Sequence, residues 1–475
     1  MFDLLIRNGM VVSPESTKTA DVAIKDGIVQ QVGQIHASVD AKRVIDASGL
    51  YLLPGVIEAH MHCYAPFQGC VDENNFYTQS ISAAHGGVTM FMDFANTYHG
   101  DSLLEKVLVR EREMRISAID YSVHGKIVEF NETVAKELAE IIELGFLTYK
   151  LFMIYRKEGV MSSDETMLEI FDLSKKHGGL PMLHCESEPI AVRGQQLNQN
   201  DFSWKNFAKS KPVLCESEAF ARAMAYGELT ESPLLIVHTT NKKCLDIARL
   251  QHECGRPVYI ETCPQYLVLD DSYYEREDGF MAVCSPPLRN KEEQPHLWDG
   301  LADGTISLIG SDDCTYSVGE KSKYLKRNPD GSFVQDYNRV PGGISGIEIR
   351  LPIMLSEGVN SGRITLNQLV AVTSANVAKV YGCYPRKGII APNSDADIVL
   401  VDMNKEVTVS QDMLHNNIDY CVYEGMKLKG YPIMTIANGK VIVENGDFCG
   451  KKGSGRFVKR KFNPAIHTSF GLEAE

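Results

Sequence analysis

Eight short, almost wholly apolar runs constrain this chain more than anything else in its sequence. They fall at 55–59, 88–94, 119–124, 147–153, 180–184, 234–238, 258–262 and 306–311. Between them lie stretches with helical periodicity, such as 102–116, 132–144 and 164–177. A strand that is apolar along its whole length is buried on both faces, and strands that alternate with helices form a parallel sheet. Eight such units predict an α/β fold, a closed (β/α)8 TIM barrel. An open doubly wound sheet is the competing architecture, but no glycine-rich dinucleotide fingerprint follows the first run.

The two ends of the chain differ from the middle and resemble one another. Asn8-Gly9, Asp26-Gly27, Asn438-Gly439 and Asn445-Gly446 sit beside short β-rich runs. Both residues of such a pair tolerate positive φ, so each pair predicts a hairpin. Residues 1–54 and 380–455 are therefore expected to form a small β-sandwich domain, with the barrel over 55–379 and a C-terminal tail over 456–475. The chain carries 48 basic and 62 acidic residues, a net charge of −14, which argues against nucleic acid and anionic membranes as partners. No run approaches the roughly 18 apolar residues of a membrane span. The opening residues are charged by Asp3, unlike a signal-peptide core. The 12 cysteines are scattered without a Cys-x-x-Cys pair, which predicts reduced thiols in a cytoplasmic protein.

Chemistry-bearing residues collect at the C-terminal ends of the runs. The first ends in His60-Met61-His62, the fourth carries Lys150, the fifth ends in His184, the sixth in His238, and the eighth is followed by Asp312. In a barrel, that end is where residues from several strands converge. One strand-end histidine is more often structural than a ligand. His-x-His is better placed, because residues two apart on a strand face the same side. A lysine inside a barrel needs a partner for its charge, or must snorkel to water. Four histidines, one carboxylate and one lysine at one end of five strands predict a metal site. Of the remaining histidines, only His124, which ends the third run, is a further candidate.

Taken in order, several motifs resemble the dihydropyrimidinase and D-hydantoinase branch of the amidohydrolase superfamily. They are Pro54-Gly55-Val56-Ile57-Glu58-Ala59-His60-Met61-His62, Tyr149-Lys150-Leu151-Phe152-Met153-Ile154-Tyr155, Leu183-His184-Cys185-Glu186, Val237-His238, Cys263-Pro264-Gln265-Tyr266, Ser285-Pro286-Pro287-Leu288-Arg289, Gly310-Ser311-Asp312, Pro385-Arg386-Lys387-Gly388 and Ser394-Asp395-Ala396-Asp397-Ile398. The resemblance implies two divalent metal ions, usually Zn2+, and a homotetramer or dimer. It implies that His60, His62 and Asp312 bind one metal, that His184 and His238 bind the other, and that Lys150, as N6-carboxylysine, bridges them. A metal-bridging hydroxide would attack the ring amide of a small cyclic ureide. Tyr155 would steady the oxyanion, Asp312 would shuttle the proton, and backbone groups at Ser285 and near Gly342 would read the –NH–CO–NH– unit. The implied activity is hydrolysis of a dihydropyrimidine or 5-substituted hydantoin to an N-carbamoyl amino acid.

Four places depart from the family pattern: Asp313 where histidine is usual, Ser187, Gly342-Gly343, and Cys63-Tyr64-Ala65 after His62. Asp313 adds a carboxylate expected to lie behind the metals. Tyr64 stands where dihydroorotase- and allantoinase-like chains commonly carry arginine, which weakens those readings. A non-catalytic dihydropyrimidinase-related scaffold protein is the alternative from another class, but such chains lack the full ligand set. By the same resemblance, residues 63–67 and the segment after the fourth run would surround the ring substituent, and most of their side chains are apolar or aromatic, Arg156 being the one cation there. Such a pocket predicts apolar substituents and disfavours a carboxylate.

Overall fold

Each apolar run contributes to a strand, and the strands pair in parallel in chain order. In the computed structural model, which describes residues 1–64 and 66–468, Val56–His62, Val88–Phe94, Asp120–Lys126, Thr148–Phe152, Leu180–His184, Leu234–Ile236, Val258–Thr262 and Leu308–Ile309 lie side by side. The last strand is broken. Leu308–Ile309 pairs with Val258–Thr262, whereas Asp313–Cys314 pairs with Val56–His62. The two edges of the sheet are thus consecutive pieces of one segment, and the sheet closes as the expected barrel.

The helices begin and end where local chemistry dictates. Ser102, Asn131 and Ser163 cap Leu103–Met114, Glu132–Leu144 and Asp164–His177 through their side chains. Gly145 and Gly178 end the latter two in the left-handed conformation. Strand residues alternate between two cores. Ile57, Met90, Met92, Met182, Leu235 and Tyr259 belong to the inner cluster, which Val377, Tyr381 and Val458 complete. Phe91, Leu151, Leu183 and Ile236 pack outward with helix residues such as Leu138 and Ile141.

The termini form a second nine-stranded, mostly antiparallel sheet. Its order is Asp447–Phe448, Lys440–Glu444, Lys427–Ala437, Ile398–Thr408, Tyr51–Pro54, Phe2–Val12, Thr17–Lys25, Ile28–Gly33, with Ala41–Asp46 parallel to Phe2–Val12. Asp26-Gly27, Asn438-Gly439 and Asn445-Gly446 are two-residue hairpin turns with positive φ at both positions. Asn8-Gly9 is not a hairpin. Phe2–Val12 is one strand, and Asn8, at φ 61°, sits in a bulge between Ile6 and Gly9. That strand has Thr17–Lys25 on one side and Ala41–Asp46 and Tyr51–Pro54 on the other, so pairing absorbs the positive φ without reversing the chain.

The stretch after residue 455 packs on the barrel as far as it is described. Tyr121 N donates to Arg456 O at 3.0 Å and Val458 N to Tyr121 O at 2.8 Å. Buried Arg460 donates to Thr148 Oγ1 and to Val123 O. Residues 469–475 lie outside the described part. Among the described residues no helix is long and apolar enough to cross a membrane.

Candidate metal centre

All six expected ligand residues meet at the C-terminal end of the barrel. Asp312 Oδ1 lies 3.1 Å from His60 Nε2 and 3.2 Å from His62 Nε2. His184 Nδ1 and His238 Nε2 are 2.9 Å apart. Lys150 Nζ stands 3.0 Å from His60 Nε2 and over the rings of Phe94 and Phe152. Ligand-type atoms of His60, His238 and Asp312 lie within 4.8 Å of one another. Asp312 falls in the break of the eighth strand with φ 51°, and His238 follows its strand with φ 43°. Non-glycine residues in this region are strained, and here the strain aims two donors at one point.

The donor set fits a divalent metal. Burial holds the pKa of His60 and His238 well below the ordinary histidine range, so both imidazoles are neutral. Burial alone would raise Asp312, but His60 and His62 outweigh it and pull the carboxyl down to about 2. Neutral imidazole with carboxylate oxygen is a zinc-type ligand set. His238 turns its Nε2 to the centre, 2.9 Å from His184 Nδ1, while its buried Nδ1 on the far side of the ring has no hydrogen-bond partner among the described residues.

Carboxylates behind two histidines fix which ring nitrogen faces inward. Glu261 Oε1 is 2.6 Å from His60 Nδ1, and Glu186 Oε2 is 2.8 Å from His184 Nε2. Each carboxylate takes the N–H of its imidazole, so the opposite nitrogen turns its lone pair to the centre. Lys211 Nζ donates to Glu186 Oε2 at 2.8 Å and to Ser285 Oγ at 2.9 Å. Glu58 accepts from His60 N and Ser311 N and faces Arg350, binding the first and eighth strands together. Sequence reasoning assigned no role to Glu261, Glu58, Arg350 or Lys211, and quoted Glu186 only as part of a motif. A carboxylate inside an otherwise apolar run, as in Tyr259-Ile260-Glu261, is the signal that could have found the first.

Tyr155, Ser285 and Gly342 line the cavity that Lys150, His62, His184, His238 and Asp312 open into. Tyr155 has φ 72°, and burial pushes its hydroxyl up to about 12. Other expectations meet different surroundings. Both nitrogens of His124 are engaged, with Thr148 Oγ1 and with Ala59 O at 3.0 Å, which makes it structural. Asp313 turns away from the centre: it accepts from Gln79 Nε2 at 2.7 Å, Ile347 N at 2.9 Å, Ser345 Oγ at 3.1 Å and Gly346 N. It pins the segment after Gly343 to the barrel wall. Of the loop after His62, Pro66 and Phe67 line the cavity, Tyr64 is exposed, and Ala65 lies outside the described residues. Arg156 is exposed.

Comparison with known proteins follows the same lines. Residues 51–442 match the amidohydrolase family. The chain is 35% identical to D-phenylhydantoinase of Escherichia coli over 98% of its own length and 99% of the relative's. Among solved structures it is similar to dihydropyrimidinase from Brevibacillus agri, with a TM-score of 0.93, 37% identity, and coverage of 97% of this chain and 99% of that one. L-hydantoinase (dihydropyrimidinase) from Arthrobacter aurescens gives a TM-score of 0.87 and 29% identity, covering 97% and 100%.

Proposed function

The chain belongs to the amidohydrolase family, and from that premise we propose that it opens a cyclic ureide by metal-dependent hydrolysis. The observation that carries this reading is the convergence of His60, His62, Lys150, His184, His238 and Asp312 at one end of the barrel. His60, His62 and Asp312 would hold one divalent ion and His184 with His238 a second, zinc before other metals. When bound, the pair supplies Lewis acidity toward the scissile carbonyl and acidifies water.

As a carbamate, Lys150 would help to hold both ions. Among the described residues its ammonium makes no ion pair, and burial lowers its pKa to about 8. The neutral amine adds carbon dioxide: an N–C bond forms, one proton leaves, and an uncharged buried amine becomes the anion that two dications require. Asp312 accepts the proton of the attacking water and passes it to the ring nitrogen. Tyr155 stays protonated at neutral pH and donates its O–H to the oxygen on which charge develops. The C–O bond forms, the amide C–N bond breaks, and the product is an N-carbamoyl amino acid. Backbone groups at Ser285 and Gly342 orient the –NH–CO–NH– unit. A domain division of 1–54 with 380–455, 55–379 and 456–475, a cytoplasmic location and a homotetramer complete the proposal.

The test compares kcat/KM for dihydrouracil, hydantoin, 5-phenylhydantoin, allantoin and dihydroorotate on zinc-loaded protein. A dihydropyrimidine or a 5-substituted hydantoin should lead. A tenfold advantage for allantoin or dihydroorotate sinks the hydantoinase reading and leaves the metal-dependent ring opening standing.

A further inference from the structure

The cavity holds a second lysine that the ring-opening reaction does not use. Lys126 is the last residue of Asp120–Lys126, paired in register with Lys150 on the neighbouring strand. It lies two residues beyond inward-facing His124, so it stands on the same face, one step closer to the mouth. Its side chain is buried, with 8% exposure, and it lines the cavity together with His62, Phe94 and Lys150. Among the described residues the Lys126 ammonium makes no hydrogen bond and no ion pair; its partner is the ring face of Tyr98, 4.3 Å from Nζ. The acid whose charge it feels, Asp101, is already committed to Lys106 at 3.2 Å and to Tyr98 N at 2.9 Å.

A buried ammonium without a counter-ion is costly, and a fold keeps one where something else supplies the anion. Lys211, the other buried lysine beside the centre, has that anion in Glu186 at 2.8 Å. Among the described residues Lys126 has no such anion and faces the cavity. The same cavity is lined by Phe94 and Phe152, apolar surface that suits the carbon stem of a ring substituent, with the Lys126 cation available to its tip.

We propose that Lys126 binds an anionic group at the end of the substrate's ring substituent, so that the preferred substrates are cyclic ureides carrying a short acidic side chain, such as 5-carboxymethylhydantoin. This rests on the ring-opening reading and reverses the apolar-substituent expectation from the loop residues. An ammonium that meets a carboxylate in a water-poor cavity gains a charge-assisted hydrogen bond, which a carboxamide of the same shape cannot match.

The experiment measures kcat/KM on zinc-loaded full-length protein for 5-carboxymethylhydantoin, for its isostere 5-carbamoylmethylhydantoin, and for unsubstituted hydantoin. The acid should exceed the amide by about tenfold or more. In Lys126→Met that ratio should collapse toward one, while Lys126→Arg, which keeps the charge, retains a preference for the acid. Thermal unfolding of both variants identifies any loss caused by misfolding, and the arginine variant then decides. Hydantoin turnover with an acid-to-amide ratio at or below one in the parent, or a ratio unchanged in a folded Lys126→Met, overturns the role of Lys126 alone. Failure to open any of the three rings overturns the ring-opening reading beneath it.

Discussion

At the floor of the barrel, Lys387 Nζ reaches Asp120, Asp397 and Asp395 at 2.7, 2.5 and 2.9 Å, and Arg456 adds contacts to Asp120 and Asp395 at 3.0 and 2.8 Å. At the mouth, His60, His238 and Asp312 converge as closely as those three acids do, yet two of the three residues have positive φ. As sets of ligand-type atoms the two ends are alike. They differ in where the balancing charge comes from. The floor brings its own cation and is a structural ion network joining barrel, terminal sheet and C-terminal stretch. The mouth brings anions, neutral imidazoles and strain, and is complete only with something added. A carboxylate cluster therefore says little about metal until its surrounding cations have been counted.

The largest expected effect that would break this comparison lies at the mouth. His184→Ala should lose activity to background and bound metal with it, while the fold survives on the barrel's own core; full metal content by elemental analysis in that variant removes His184 from the ligand set. The corresponding change at the floor should do the opposite. Lys387→Met leaves buried Asp397 without a cation and Asp120 and Asp395 to Arg456, and should cost about 3–5 kcal/mol of stability, with kcat of the remaining folded protein retained. Equal loss of activity and stability in the two variants would erase the distinction between the ends.

The floor should also show itself in pH dependence. Burial opposes ionisation of Asp120 and Asp395, but Lys387 and Arg456 outweigh it and hold both below the ordinary value of 3.8. Their contribution is present above that pH and is lost as pH falls through the lower folded values. Lys387 is raised above 10.5 because its three acids outweigh burial, so its contribution is present below that pH and is lost as pH rises through the folded value. Asp397 works the other way, since burial raises it. The melting-temperature gap between parent and Lys387→Met should be flat between about pH 5 and 9 and shrink in stronger acid.

Smaller effects sharpen the chemistry of the mouth. In the proposed mechanism Tyr155→Phe removes one donor to the oxyanion, and kcat should fall by about 10²–10³-fold; a change confined to KM would make Tyr155 a binding residue only. Glu261→Gln keeps the shape behind His60 but loosens the hold on its Nδ1–H. Metal affinity should fall by about 10–100-fold, read by competition with a chelator. Unchanged affinity would reduce Glu261 to a buried acid of the core.

The alternation of apolar runs and helical stretches was enough to predict the barrel, because burial on both faces is a property of each strand and its immediate flanks. Residues at the strand ends could be picked out for the same reason: His60, His184, His238 and Asp312 each mark where a run stops, and Lys150 is the one charge inside the fourth run. Of the four Asn-Gly or Asp-Gly pairs near the chain ends, three became turns, since positive φ is local, but Asn8-Gly9 became a bulge once neighbouring strands paired along both sides. Only the closed sheet decided the rest. Glu261 stands behind His60 from 201 residues away, and Asp313 finds its donors in Gln79 and the 345–347 segment. Lys126, ordinary in sequence, becomes a buried cation facing the cavity because its strand lies between those ending in Phe94 and Phe152. Periodicity and turn chemistry are written in neighbouring residues; the partner of a buried charge is fixed by closure of the barrel, which brings distant strands to one point.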